Sequence, residues 1–105
     1  MNEKSMGKKK PTLKEQKHME RVASIGCIVC RKLGFYDTPA EIHHIRNKTG
    51  MGKRSNHYLT IPLCAYHHRN SNESYHYSPK KFENRFGSQM KLLQEVLDIL
   101  GSLSR

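Results

Sequence analysis

Cysteine and histidine carry most of the chemistry this chain can perform. Cys27-x-x-Cys30 and Cys64-x-x-His67 are two short knuckles separated by residues 31–63, a spacer of 33 residues. A two-residue gap lets both side chains of a knuckle reach one ion. Two knuckles complete a tetrahedral set of three thiolates and one imidazole, a closed arrangement typical of structural zinc. The spacer far exceeds the roughly 12 residues of a DNA-reading zinc finger, so a finger helix in the major groove is not expected. Zinc at such a site contributes about 10–16 kcal/mol in small peptides, as much as the whole stability of a typical domain, about 5–15 kcal/mol. Metal rather than apolar burial is expected to decide whether this chain folds. Three cysteines cannot all pair as disulfides within one chain, and a redox Cys-x-x-Cys belongs in a βαβ context that so short a chain does not offer.

Histidine is the second signal. The chain has 7 histidines in 105 residues, and six of them fall between His43 and His76. Two pairs are adjacent, His43-His44 and His67-His68. At a helix start, consecutive side chains point about 100° apart around the axis. One member of the second pair can therefore face the zinc knuckle while the other faces a different site. His18 and His57 stand alone and are read as surface or satisfied core groups.

In order along the chain, Cys27-x-x-Cys30, Glu41-Ile-His43-His44-Ile45 and Ile61-Pro-Leu-Cys64-x-x-His67-His68-Arg69 resemble the HNH, or ββα-metal, nucleases. Within that group the pattern is similar to the phage recombination-enhancement (Ref-like) members. The run from His76 to Gly87, with Lys81-Phe82-Glu83 and Phe86-Gly87, resembles the end of the same domain. The resemblance spans residues 21–87, and the ordered combination is specific where no single motif would be.

The resemblance implies roles for individual residues. His44 is the implied general base, taking a proton from the attacking water; an imidazole with a pKa of about 6.5 can do this at neutral pH. His43 and His68 are the implied holders of a divalent catalytic metal, with His76 as third ligand. Asn72, four residues after His68, competes with His76 if a helix persists that far. Imidazole suits zinc, nickel, cobalt or manganese, while magnesium demands more oxygen than these residues supply. Leu59 occupies the place of the family's central Asn. Asn56 is the nearest candidate for its role, which is to orient the base and brace the hairpin. The implied reaction is hydrolysis of DNA phosphodiester bonds, with a phage or prophage origin and a link to a recombinase filament.

The surrounding charge suits such a substrate. Lys and Arg number 19 against 9 Asp and Glu, a formal net charge of +10, and neutralising phosphates releases their condensed counterions. Arg46, Lys48, Lys53, Arg54 and Arg69 flank the histidines and are candidate phosphate contacts, which would set register and affinity without reading sequence. Gly50-Met51-Gly52 lacks a full phosphate-loop pattern and reads as a turn between strands.

The elements that must position these groups can be placed from pattern. The chain is 35% hydrophobic with no Trp, so a single small domain is expected, marginal without a metal staple. Residues 1–20 are rich in lysine and poor in apolar groups and read as a flexible basic arm, with residues 21–105 as the nuclease domain. Within and beyond the arm, Leu13, Met19, Val22 and Ala23 share one face, which allows a helix over 13–25. Ala40–Ile45 and Tyr58–Leu63 read as the strands of a hairpin, with Pro62 at an edge. A helix is expected near His67. Ser78-Pro79 reads as the cap and first position of another, ended by Gly87. Ser88 caps a final helix over 89–100, ended by Gly101. Its Met90, Leu93, Val96, Leu97 and Leu100 form a stripe for the core or a dimer seam.

The expected class is thus α+β: a small ββα-metal domain with a zinc knuckle, a basic N-terminal arm and a C-terminal helix. The first ten residues hold no apolar leader segment and no stretch is long enough for a membrane span. A cytoplasmic, reducing setting in a bacterial host is expected. Two rival readings stand beside this one: a silent zinc-stabilised module that binds DNA or protein and needs no catalytic histidine, and an RNA-directed nuclease or RNA-binding knuckle.

Overall fold

The computed structural model describes residues 10–46 and 56–103. Its elements are α1 (Leu13–Ser24), α2 (Ile28–Lys32), β1 (Glu41–His44), β2 (Thr60–Leu63), α3 (Ala65–His68), α4 (Pro79–Phe86) and α5 (Gln89–Leu103). The class is α+β, as the sequence indicates.

Helix α1 begins inside the segment that composition assigned to a flexible arm. Its local cause is a capping box. The Thr12 hydroxyl accepts from the Glu15 N–H at 3.1 Å, and the Glu15 carboxylate accepts from the Thr12 N–H at 2.8 Å, which satisfies two otherwise orphaned donors. Its tertiary cause is Val22, fully buried where α1 crosses the hairpin.

The first knuckle follows a tight reversal. Gly26 has φ of 82°, in the left-handed region where a Cβ is strained, and a Cβ there would meet the Thr38 carbonyl oxygen at 3.1 Å. The bare glycine lets the Cys27 N–H reach that same carbonyl at 3.0 Å. Cys27 then caps α2, its sulfur accepting from the Cys30 N–H at 3.4 Å.

Strands β1 and β2 pair antiparallel, with Glu41 opposite Leu63, Ile42 opposite Pro62, His43 opposite Ile61 and His44 opposite Thr60. The described sheet has only these two strands, so Pro62 lies on an edge, where a missing N–H is tolerated. The glycine turn at 50–52 lies outside the described residues.

The second knuckle sits directly after β2. Cys64 is the N-cap of α3, which starts at Ala65, earlier than expected, and stops at His68. Because it stops there, Asn72 is not carried onto the His68 face. The chain instead turns back: the Tyr75 N–H donates to the His67 carbonyl at 2.8 Å and the His76 N–H to the His68 carbonyl at 3.1 Å. Ser71 and Ser74 hold this turn through hydroxyl bonds to the carbonyls of Tyr66 and Ser71, both at 2.7 Å.

The last two helices start as their sequences dictate. The Ser78 hydroxyl accepts from Lys81 N–H with Pro79 in the first turn, and the Ser88 hydroxyl accepts from Lys91 N–H at 3.1 Å. Helix α5 runs through Gly101 to Leu103; one glycine costs a helix about 1 kcal/mol, which does not end it. Its inward face is Gln89, Leu92, Leu93, Val96 and Leu100. Met90 and Leu97, expected in the stripe, are 58% and 40% exposed. The core they border includes Val22, Ile28, Val29, Ile61, Leu63, Leu92 and Val96, contributed by α1, α2, β2 and α5.

Candidate metal centres and active site

The two knuckles meet. Cys27, Cys30, Cys64 and His67 are all buried, and their sulfur and nitrogen atoms lie within 4.8 Å of one another. The His67 Nδ1 is 3.3 Å from the Cys64 sulfur, 3.6 Å from that of Cys30 and 4.0 Å from that of Cys27, and the Cys30 and Cys64 sulfurs are 3.8 Å apart. Tetrahedral zinc, with Zn–S of about 2.3 Å and Zn–N of about 2.0–2.1 Å, separates its ligands by about 3.8 Å (S to S) and 3.5 Å (S to N). The donor set fits a structural zinc. Burial pushes the Cys27 thiol up to about 12 and raises Cys30 as well. Thiolates packed this closely are stable only around a cation.

A second cluster lies beside it. His43, His68 and His76 each offer a ring nitrogen, again within 4.8 Å of one another. The His68 Nε2 is 3.3 Å from the His43 Nδ1 and 3.2 Å from the His76 Nε2. Imidazoles on one tetrahedral ion would stand about 3.4 Å apart.

The protons of these rings are pinned elsewhere. The Gln89 amide oxygen accepts from the Arg46 N–H at 2.9 Å and its NH2 donates to the Arg46 carbonyl at 3.1 Å. That oxygen also lies 2.9 Å from the His43 Nε2, so Nε2 must carry the proton and Nδ1 the lone pair. Likewise the Glu41 carboxylate, 2.7 Å from the His68 Nδ1, accepts a hydrogen bond from a proton on that nitrogen, which in the neutral ring leaves the His68 Nε2 a lone pair. Two lone pairs then face each other at 3.3 Å. A single proton cannot serve both His43 and His76, whereas one cation can. Partners that hold the far nitrogen of a ligating histidine in this way are the usual support of a metal site.

The electrostatics disfavour protonation of His43 and His76. Burial, then the charges of His68, His76 and Arg46, push His43 down to about 4. Burial, His68 and Arg46 also lower His76. Glu41 is held down at about 2, first by the Arg69 guanidinium and then by His68.

The family follows from the chain as a whole. A family model described as recombination enhancement, RecA-dependent nuclease matches residues 11–101. The chain belongs to this family. A comparison with curated proteins gives no match.

In this RecA-dependent nuclease family member, the histidines expected to share a site divide into two groups. His43, His68 and His76 come together. His44, next in β1, is not part of that cluster: successive strand residues face opposite ways, and its Nε2 lies 3.0 Å from the His57 Nδ1. Asn56, expected to orient the base and brace the hairpin, does its bracing through the Tyr58 N–H, which its side-chain oxygen accepts at 2.8 Å. Its side chain has no bond to His44.

Of the candidate phosphate contacts, Lys48, Lys53 and Arg54 lie outside the described residues. Arg46 is exposed, and its charge reaches His43, His76 and Tyr75. Arg69 is half exposed but forks onto Glu41 through two hydrogen bonds, so its charge is already partnered.

Three supporting residues had been given no role. Glu41 could have been found, because it shares a strand face with His43 at a spacing of two. His57 was set aside as a lone histidine, and only the hairpin brings it to His44. Gln89 carries no local signal, since nothing near it in sequence relates to His43.

Proposed function

We propose that this protein is a metal-dependent endonuclease of the HNH type that hydrolyses DNA phosphodiester bonds in concert with a recombinase filament. The observation that carries this reading is the division of labour between neighbours. His67 belongs to the cysteine cluster and His68 to the all-imidazole cluster, so the chain builds one site of structural composition and another of catalytic composition side by side. A silent zinc module has no use for the second. The family description supports nuclease activity and dependence on RecA, which implies DNA as substrate.

Each group has a task under this reading. A divalent cation held by His43, His68 and His76 would supply Lewis-acid stabilisation of the charge that grows on the phosphate. His44, neutral at physiological pH because burial lowers its pKa, takes the proton of the attacking water. Arg46, exposed and without an ion pair among the described residues, contributes positive charge, and the formal +10 of the chain draws in the polyanion.

The test is a plasmid-nicking assay with and without recombinase filament, run with manganese, nickel, magnesium and zinc, on wild type and His44→Ala. Wild type is expected to cut, and the variant to lose about 100- to 10,000-fold in rate while keeping its zinc. Absence of cleavage under every condition rejects the enzyme reading. Equal cutting by the variant rejects His44 as base.

A further inference from the structure

We infer that His57 is a positioning residue for His44, accepting the Nε2–H of His44 so that the His44 Nδ1 keeps the lone pair with which it takes the proton from water. This rests on the endonuclease reading above and adds to it the group that selects the tautomer of the base.

The geometry carries the argument. The His44 Nε2 and His57 Nδ1 are 3.0 Å apart, with the rings edge to face at 73° and centroids 5.1 Å apart. Two neutral imidazoles at this distance share one proton, and there are two ways to place it. If His57 donated, the only lone pair of His44 would be consumed and its Nδ1 would carry hydrogen, leaving it unable to act as a base. If His44 donates, its Nδ1 stays bare, and that atom has no other hydrogen-bond partner among the described residues. Only the second arrangement is compatible with catalysis.

His57 is held for this task from both sides. The Asn56 side chain accepts from Tyr58 N–H at 2.8 Å, the Leu59 N–H donates to the Asn56 carbonyl at 3.0 Å, and the Thr60 hydroxyl donates to the His57 carbonyl at 3.3 Å. These bonds fix the turn that enters β2, where Thr60 stands opposite His44 in the ladder. The duties expected of one asparagine are thus divided: Asn56 braces the turn and His57 orients the base. When His44 takes up the water's proton at Nδ1, its Nε2–H becomes a charge-assisted donor, and such bonds are about twice as strong as neutral ones. No bond of His44 need break as the charge forms.

The experiment compares wild type with His57→Phe, which fills the space without an acceptor, and His57→Gln, whose amide oxygen can still accept. Activity on plasmid DNA is measured with zinc content, metal affinity and KM. In parallel, long-range proton–nitrogen correlation spectra at pH 7.5 report which His44 nitrogen bears hydrogen. The expected result for His57→Phe is a fall in kcat of about 10- to 100-fold with KM and metal affinity unchanged, substantial recovery in His57→Gln, and an Nε2–H tautomer of His44 in wild type that becomes mixed in His57→Phe. Full activity of His57→Phe beside an active wild type, or an Nδ1–H tautomer in wild type, overturns this inference alone. An inactive wild type overturns the endonuclease reading, and the role of His57 falls with it.

Discussion

Gln89 and Glu41 decide which nitrogen of His43 and of His68 is available to an ion. Neither belongs to the imidazole cluster itself; each holds a proton on the far side of a ring. Replacing Gln89 with Leu removes that hold on His43 and leaves the cysteine cluster untouched. Titration calorimetry with manganese or nickel on zinc-loaded protein is expected to show affinity about 10- to 100-fold weaker with one zinc retained. Unchanged affinity would mean that His43 needs no support. The same scale governs pH. Burial, and then the charge of His57, hold His44 below 6.5. A base with a lowered pKa stays deprotonated further into acid, so the acid limb of kcat/KM should be centred below pH 6.5. An acid limb centred above 6.5 would contradict this assignment. Much of this was legible from residue types alone, since the thiol and imidazole spacings name both clusters. What could not be read is how partners 46 residues apart, such as Gln89 and His43, are brought together by packing.

The elements were legible wherever a local chemical signal marked them. Ser78-Pro79 and Ser88 cap α4 and α5 as their types require, and the segment Ala40–Ile45 read as a strand contains β1. The lysine content of residues 1–20 suggested an arm, and the helix that the apolar face allowed over 13–25 is present within it as α1, started by the capping box of Thr12 and Glu15 and anchored by Val22. Gly101 was taken as a stop, although α5 passes through it because Leu100 is buried one residue before. The end of α3 at His68 had no clear sequence mark, and that early end is what returns His76 to the cluster. Among the elements, the reversal before α2 is the most demanding. Gly26→Ala forces a Cβ against the Thr38 carbonyl in a left-handed conformation, which costs about 1–2 kcal/mol. Urea unfolding of the zinc-loaded protein is expected to show a lower midpoint by that amount with an unchanged slope; an unchanged midpoint would show that the turn relaxes freely.

At the scale of the whole molecule, the apolar interior is small and is completed by the cysteine cluster: Cys27, Cys30 and Cys64 belong to the same buried set as Ile28, Ile61 and Leu92. Removing the ion leaves three thiols and an imidazole in the middle of that set with no charge to bind them. Purified protein is therefore expected to contain about one tightly held zinc per chain, and a strong chelator should abolish its circular dichroism signal and cooperative melting. A folded, zinc-free protein would refute the structural role. Zinc affinity should also rise with pH, because Cys27 and Cys30 must shed protons that burial makes them keep; competition with a chelator at pH 6 and pH 8 measures the sign.

The single turn of α3 has a wider consequence. Its four residues lie between the two centres, with His67 committed to one and His68 to the other. A backbone this short has no slack to insulate them. Loss of the inner ion would release His67, loosen the turn and scatter the outer ligand set with it, so the enzyme cannot lose its scaffold and keep its blade. Catalysis would be switched off by zinc starvation even where manganese or nickel is plentiful, and the supply of one metal would set the value of the other.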